Sequence, residues 1–225
     1  ALKIVNNTPG YILLTTSTSE AYAYLFKLLT DPGENILIPR PSYPLFEFLA
    51  GMELVDTVPY SLDFEDLEER VNSRTRGIVV VNPNNPTGTF IKQQQLTRLV
   101  SFCREHELAI ISDEVFADYG FGEDPARVPS LSGVQEVLTF CLSGLSKVAG
   151  LPQLKLGWIA VSGPPEMRRA AIDRLELSAD TYLSVSTPVQ WAAPKLLELS
   201  RGIRVQLAGR TAANLRELRS VLSGR

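Results

Sequence analysis

The stretch Gly77-Ile-Val-Val-Val-Asn-Pro-Asn-Asn-Pro-Thr-Gly88 joins an apolar run directly to a polar, proline-containing loop. Ile and Val without polar alternation indicate a strand that is buried on both faces. The two prolines restrict the backbone and leave asparagine amides displayed. Ligands of parallel α/β sheets bind at the carboxyl ends of strands, so this loop marks the edge where functional side chains are expected.

The same pattern of apolar strands and amphipathic helices continues in both directions from this stretch. The predicted strands are residues 11–15, 35–39, 53–59, 77–81, 108–112, 137–142 and 156–162. The predicted helices are residues 21–29, a short helix within 41–51, 63–71, 92–106, 164–177 and the stretch from about 188 to the end. Strands covered by helices on both faces predict an α/β fold, a three-layer sandwich with a mostly parallel central sheet.

Composition excludes several classes of protein. The 225 residues are 44% hydrophobic and 21% charged, with a net charge of −3, so no basic surface for nucleic acid is indicated. The arginines of the tail, from Arg201 to Arg225, are interpreted as a solvated helix face. With a single histidine, a two-histidine metal motif is impossible, and no metal site is predicted.

The cysteines and the chain ends bear on location and completeness. Cys103 and Cys141 lie in apolar runs, which is typical of buried thiols in a reducing compartment. No apolar run reaches the length of about 18 residues that a membrane span needs, and no signal peptide is evident. We therefore expect a soluble, cytoplasmic protein. Ala1 at the start and charged helical sequence at the end indicate a piece of a longer protein.

Polar residues follow other predicted strands as well. Residues 16–20, Thr-Ser-Thr-Ser-Glu, open a helix whose free N–H groups could bind an anion, although a plain N-cap explains such a sequence more often. Asp113 ends a buried strand and needs a cationic or N–H partner. Lys147 follows another strand on a glycine-containing turn, where a partly desolvated amine can act as a nucleophile. Lys155 comes eight residues later.

Taken together, these motifs resemble a known family. Asn85-Pro86-Thr87-Gly88, then Asp113, then Ser146-Lys147, then Lys155-Leu156-Gly157-Trp158 are similar in order and spacing to the signature series of class I/II aminotransferases of fold type I. Each motif alone is weak to moderate, but the ordered set is specific, and the resemblance extends from about residue 11 to residue 199. The resemblance implies an aminotransferase-like large domain that binds pyridoxal 5′-phosphate.

The family's site residues carry over to matching positions of this sequence. The resemblance implies that Lys147 forms the Schiff base and moves the substrate proton, and that Asp113 pairs with the cofactor's ring nitrogen; these two are the predicted catalytic residues. It also implies that Asn85 contacts the ring oxygen and that Tyr43 stacks on the ring. The residues implied to hold the phosphate are Ser17, Thr18, Ser19, Ser146 and Lys155.

Three positions depart from the family's usual pattern. Lys155 stands where an arginine is usual, so a point charge replaces a two-pronged contact with the phosphate. Gly144 stands where a hydroxyl residue often contacts the phosphate, and Ser143 is a possible substitute. Phe116 stands where a tyrosine usually donates to the ring oxygen, and Tyr119 could supply another phenol.

The resemblance also divides the chain and suggests its partners. Residues 1–187 are predicted to form the cofactor-binding large domain, and residues 188–225 a helical segment that leads to an absent small domain. The expected substrates are an amino acid and a 2-oxo acid, and the expected full-length state is a homodimer. The family binds the substrate carboxylate with a small-domain arginine, so we expect this fragment to be weak or inactive.

Two other functions remain open at this stage. The first is another fold-type-I enzyme, either a carbon–sulfur lyase or an enzyme like aminocyclopropane-carboxylate synthase, since these share the same lysine and aspartate. The second is the aminotransferase-like effector domain of a transcriptional regulator.

Overall fold

The computed structural model describes residues 11–122 and 124–223, and its centre is one mixed sheet. The strands are β1 (Ile12–Thr15), β2 (Asn35–Arg40), β3 (Asp56–Ser61), β4 (Thr75–Val81), β5 (Ala109–Asp113), β6 (Thr139–Gly144) and β7 (Gly157–Ser162). Their order across the sheet is β1-β7-β6-β5-β4-β2-β3. The first ten residues of the predicted domain 1–187, and the last two of the predicted segment 188–225, lie outside the described residues.

Helices cover both faces of this sheet. They are α1 (Thr18–Leu29), α2 (Phe46–Met52), α3 (Leu67–Arg70), α4 (Gln93–Glu105), α5 (Leu145–Val148), α6 (Pro165–Tyr182) and α7 (Thr187–Ser223). Helices α1, α2 and α6 contribute to the core on one face, and α3 and α4 to the core on the other. The predicted α/β three-layer sandwich with a mostly parallel central sheet is therefore confirmed.

Strand β4 illustrates why the apolar runs are continuous. Val79 and Val81 face the core beneath α1 and α2, whereas Ile78 and Val80 face the core beneath α4. Successive side chains of a strand point to opposite faces, so a strand that is covered on both sides must be apolar at every position.

The direction of β7 decides which residues share an edge of the sheet. Strands β2, β3, β4, β5 and β6 run parallel, whereas β7 is antiparallel to β6 and to β1. Since β1 is thereby parallel to the main group, its carboxyl end lies at the same edge as theirs. The amino end of β7 lies at that edge too.

The predicted charged helix at residues 63–71 is mostly wrong, because only Leu67–Arg70 is helical. The Asp66 carboxylate accepts hydrogen bonds from the Ser61 N–H and hydroxyl, at 2.9 and 2.7 Å. Phe64 adopts a positive φ of 65°, which a helix does not permit. Side-chain bonding to the backbone therefore holds this stretch as a turn.

Helix α7 runs for 37 residues, and its first part packs against α5 and β7. The interpretation of the basic tail as a solvated face is wrong for Arg204, which is buried. Its guanidinium donates to the Val148 carbonyl at 3.0 Å and to the Ser200 hydroxyl at 2.6 Å, and lies 3.5 Å from an Asp118 oxygen. Arg204 thus joins the long helix to the turn that carries Lys147.

Several sequence-based expectations about burial are met. Cys103 and Cys141 are both buried and unpaired. Across residues 11–122 and 124–223, no helix is both long and apolar enough to cross a membrane.

Candidate active site at the carboxyl edge of the sheet

Three of the predicted phosphate-binding residues converge because their strands are neighbours. Thr15, Gly157 and Gly144 form one row across β1, β7 and β6. Ser17 lies two residues after Thr15, Ser146 two after Gly144, and Lys155 two before Gly157. All three therefore leave the sheet at the same edge, although they come from the beginning and the end of the sequence.

The two glycines in this row allow the close approach. A Cβ atom at Gly157 would lie 3.1 Å from the Thr15 hydroxyl oxygen and 3.2 Å from the Ser17 carbonyl carbon. A Cβ atom at Gly144 would lie 3.0 Å from the Leu156 carbonyl oxygen. A side chain at Gly157 would push the turn at Ser17 away from β7, and a side chain at Gly144 would push the start of β7 away from β6.

The turn before α1 has the geometry of a helix N-cap. The Ser17 hydroxyl accepts the N–H of Glu20 at 3.2 Å, and the Glu20 carboxylate accepts the N–H of Thr16 at 2.6 Å. The N–H groups of Thr18 and Ser19 belong to the first turn, where a helix offers no internal acceptor. The plain N-cap is therefore present, and two N–H donors remain for an anion at the positive end of the helix dipole.

Asp113 is a buried carboxylate at the end of β5. Its Oδ1 accepts the N–H of Val115 at 3.2 Å, and its Oδ2 accepts the hydroxyl of Tyr22 at 3.1 Å. Burial raises the pKa of Asp113 to about 6, and the two hydrogen bonds and the positive charge of Lys147 offset only part of this rise. The positive charge around Asp113 is therefore too small to offset the cost of burying its carboxylate.

Lys147 lies on α5, and its positive charge acts on the Asp113 carboxylate. Its Nζ is 5.6 Å from the centre of the Phe116 ring, and the side chain is exposed. The Tyr119 hydroxyl donates to the Lys147 carbonyl at 2.7 Å and fixes the backbone of the turn. Within the described chain, the Lys147 ammonium has neither an ion pair nor a hydrogen bond, so it is available to a ligand. The Tyr119 hydroxyl, considered above as a substitute for the phenol missing at Phe116, thus donates its proton to a backbone carbonyl instead.

The loop after β4 is held by two of its asparagines. Asn82 donates to the Val128 carbonyl at 3.0 Å and accepts the N–H of Ile91 at 3.1 Å. The Asn84 amide donates to the Pro41 carbonyl at 3.0 Å, which joins the loop to the segment before α2. Asn85 is half-buried, and its amide has no hydrogen-bond partner among the described residues. Asn82 and Asn84 thus hold the loop in place, whereas the Asn85 amide is available to bind a ligand.

Tyr43 connects to Asp113 through a chain of aromatic rings. Its ring is 36% exposed and lies edge-on to Phe46, with 5.6 Å between the ring centres. Phe46 is in turn edge-on to Tyr22 at 5.2 Å. Tyr22 was not among the residues predicted from the sequence, although a tyrosine on the buried face of a helix usually has a hydrogen-bond partner for its hydroxyl.

The described structure brings the predicted residues to one edge without direct contacts between most of them. Asp113 and Lys147 interact electrostatically, and Tyr43 reaches Asp113 only through intervening rings. Lys155 is exposed, with a left-handed backbone at φ 50°.

Two cavities lie near this edge, and neither is lined by Lys147 or Asp113. One of about 980 Å³ lies between α7, β7 and the segment after β5, and one of about 470 Å³ lies between the ends of β2 to β4 and the start of α4. Glu114 lines the larger cavity; its side chain accepts the Leu131 N–H and the Ser112 hydroxyl and therefore turns away from Asp113.

The chain resembles known proteins over nearly its whole length. A family model described as aminotransferase class I and II matches residues 3–223. Alanine aminotransferase of Mycobacterium tuberculosis H37Rv is 33% identical over 189 residues, which cover 80% of this chain and 44% of that protein. S-alkyl-thiohydroximate lyase of Arabidopsis thaliana is 31% identical over 202 residues, which cover 85% of this chain and 43% of that protein.

Solved structures show the same relationship. Alanine aminotransferase from Pyrococcus furiosus superposes with a TM-score of 0.81 at 31% identity, covering 96% of this chain and 57% of that one. The chain spans about half the length of the curated relatives it matches.

Proposed function

Since this chain belongs to the class I and II aminotransferase family, we propose that it is the cofactor-binding part of an enzyme that uses pyridoxal 5′-phosphate. The proposed reaction moves an amino group between an amino acid and a 2-oxo acid. The observation that carries the proposal is the buried carboxylate of Asp113 under the influence of the Lys147 ammonium, which has no ion pair or hydrogen bond among residues 11–122 and 124–223.

Asp113 fits the ring nitrogen of this cofactor. The carboxylate is only 7% exposed, and the hydrogen bonds that it accepts come from neutral donors, Tyr22 and Val115. A buried carboxylate in this state is stabilised by an opposite charge, and a protonated pyridine nitrogen supplies one. Asp113 would then keep that nitrogen protonated, and the bound cofactor would supply an electron-accepting ring.

The neighbouring turns fit a phosphate group. Ser17, Thr18 and Ser19 offer hydroxyl groups and N–H donors at the amino end of α1. Ser146 and Lys155 leave the sheet beside this turn, and Lys155 adds a positive charge. We propose that these five residues hold the phosphate, with Gly144 and Gly157 allowing the close approach.

The remaining residues fit the other parts of the cofactor and substrate. Lys147 is proposed to form the Schiff base with the aldehyde and to move the substrate proton, because the residue is exposed and its amine is unpaired within the described chain. The Asn85 amide has no hydrogen-bond partner in the part of the chain that the structure describes, and it is proposed to bond the ring oxygen. Tyr43 presents a partly exposed ring and is proposed to stack on the cofactor.

The proposal extends to the parts that surround this chain. Residues 1–187 are proposed as the cofactor-binding domain, and residues 188–225 as the segment that leads to a further domain. Because the chain covers less than half of its curated relatives, we propose that it binds the cofactor but transaminates weakly or not at all. The full-length protein is proposed to be a cytoplasmic homodimer.

A second candidate function is cleavage of a carbon–sulfur bond. The similarity to a thiohydroximate lyase, at 31% identity, supports this alternative. The lysine and the aspartate would serve either reaction, since the bond that breaks depends on how the substrate is oriented. The alanine aminotransferase relatives favour the transfer reaction with a small amino acid.

The central test is covalent capture of the cofactor. Pyridoxal 5′-phosphate is added to the purified chain, the product is reduced with borohydride, and the labelled peptide is sequenced. We expect one label per chain at Lys147 and an absorbance band that Lys147→Ala lacks. Lys92→Ala is the control, because Lys92 is also exposed and lies 3.8 Å from Asp124, away from the site.

Labels spread over several surface lysines, or an unchanged band in Lys147→Ala, would contradict the proposed site. To distinguish the two reactions, the full-length enzyme is incubated with alanine and a 2-oxo acid, or with a thioether amino acid. Formation of pyruvate together with a new amino acid supports transfer, whereas release of a thiol supports the lyase.

A further inference from the structure

Tyr22 is buried in the middle of α1 and points its hydroxyl at the carboxylate of Asp113. The residue is 1% exposed, and its hydroxyl oxygen lies 3.1 Å from Asp113 Oδ2. Helix α1 packs against β1, β6 and β7, while Asp113 ends β5, so the contact joins distant parts of the sequence. A buried tyrosine hydroxyl requires a hydrogen-bond partner, and the partner of Tyr22 is the carboxylate that is proposed to hold the cofactor ring.

We propose that Tyr22 is a positioning residue that orients the Asp113 carboxylate and weakens its basicity, and thereby sets how firmly Asp113 holds a proton on the ring nitrogen. This inference rests on the proposed function and adds a residue to it. The Tyr22 hydroxyl is bonded to Asp113, so its proposed action passes through that carboxylate.

The geometry assigns one donor to each carboxylate oxygen. Val115 donates its N–H to Oδ1 at 3.2 Å, and Tyr22 donates its hydroxyl to Oδ2 at 3.1 Å. Two donors on different oxygens fix both the plane and the direction of the carboxylate. Each oxygen keeps further lone-pair capacity for a ligand, because an ionised carboxylate accepts about four hydrogen bonds.

The direction of donation follows from the surroundings of Tyr22. Burial, followed by the negative charge of Asp113, raises the pKa of Tyr22 well above its usual value, so the phenol stays protonated and donates. A hydroxyl that donates to a carboxylate stabilises the charged form, which makes the carboxylate a weaker base.

Few charged or titratable groups of the described chain act on Asp113 or Tyr22. Lys147 on α5 attracts the negative charge of Asp113, whereas Tyr43 beside α2 and Tyr60 on β3 act on Tyr22. Glu114 follows Asp113 directly but bonds to the opposite side. Because so few other groups act on Asp113, the loss of the Tyr22 hydroxyl should cause a measurable change in the pKa of Asp113.

Tyr22→Phe isolates the hydroxyl from the ring. The ring of Tyr22 packs edge-on against Phe46, and phenylalanine preserves that contact. The matched control is Tyr60→Phe, because Tyr60 is 2% exposed and its hydroxyl donates to the Val79 carbonyl at 2.8 Å. Both variants remove one buried hydroxyl and one hydrogen bond, but only the first changes Asp113.

The experiment measures the pKa of Asp113 in the ligand-free protein by carbon-13 NMR of its carboxyl group. Loss of a hydrogen bond to a charged group should raise the pKa in Tyr22→Phe by about one pH unit, with no change in Tyr60→Phe. With the cofactor bound, the ring nitrogen should hold its proton to a higher pH in Tyr22→Phe, as seen in a spectral titration.

An unchanged Asp113 pKa in Tyr22→Phe, in a protein whose Lys147 still captures the cofactor, would overturn the role of Tyr22 and leave the proposed function intact. Failure of the parent chain to capture the cofactor would instead reject the proposed function. If Tyr22→Phe does not fold alone, it is combined with Asp113→Asn, which removes the buried charge. Recovery of a folded protein in that background supports the coupling between Tyr22 and Asp113, and failure to fold there too would overturn it.

Discussion

The buried charge of Asp113 should make the ligand-free protein less stable at neutral pH. The pKa of its carboxyl rises from the usual 3.8 to about 6 because the group is buried. Between these values the folded chain binds more protons than the unfolded chain, so stability falls as the pH rises from about 4 to about 6. Replacing Asp113 by asparagine removes this charge.

The size of the effect follows from the same numbers. At about 1.4 kcal/mol for each pH unit, the raised pKa corresponds to roughly 3 kcal/mol lost above pH 6. Asparagine has one acceptor oxygen for two donors, Tyr22 and Val115, and this mismatch costs about 1 kcal/mol. We therefore expect Asp113→Asn to raise the free energy of unfolding by about 2 kcal/mol at pH 7.5.

Urea unfolding of the ligand-free protein at pH 4 and pH 7.5 measures this effect. The variant should be the more stable protein at pH 7.5, and its advantage should disappear at pH 4, where Asp113 is neutral. Asp63→Asn is the control, because a hydrogen bond from the Ser61 hydroxyl lowers the pKa of that exposed carboxyl, so loss of the charge should not stabilise the protein. If Asp113→Asn were destabilised equally at both pH values, the reasoning about a buried charge would be refuted.

Two further substitutions test how the site is supported. Gly157→Ala should lower stability by about 1–3 kcal/mol, because its Cβ would come within 3.1–3.2 Å of the neighbouring turn, and should weaken phosphate binding in a titration with inorganic phosphate. Gly51→Ala, where nothing lies within 4 Å, should leave stability unchanged or slightly raised in the same urea assay. Arg204→Met should cost about 1–3 kcal/mol, because the Val148 carbonyl loses its donor, and limited proteolysis should then cut α7 earlier. Intact α7 under those conditions would contradict the proposed anchoring.

Much of the fold could be predicted from the sequence because burial on both faces leaves a simple signal. Residues 77–81 admit no alternation of polar and apolar positions, and the same holds for the strands on either side. The position and direction of β7 could not be predicted, because nothing within residues 157–162 encodes which strand lies beside it. Pairing with β1 depends on packing across distant parts of the chain.

The site was predictable where chemistry dictates residue type, and less so where packing does. Asp113 was expected to need an N–H or cationic partner, and it has the N–H of Val115. Tyr22 was missed because an aromatic side chain at helical spacing is usually core. Arg204 was misjudged because an isolated arginine in a basic helix is usually solvated, and only the fold reveals its carbonyl partner.

The reversal of β7 has a consequence for the order in which the site assembles during folding. Lys147 and Lys155 lie on one short connection between adjacent antiparallel strands, so a local hairpin brings them together at little cost in loop entropy. The anionic side of the site requires β4 and β5 to pair through long crossovers, and contacts between distant residues form more slowly. We expect the turn with Lys147 and Lys155 to form first during refolding, and Asp113 to join it later. In time-resolved hydrogen exchange, the amides of β6 should then become protected before those of β5.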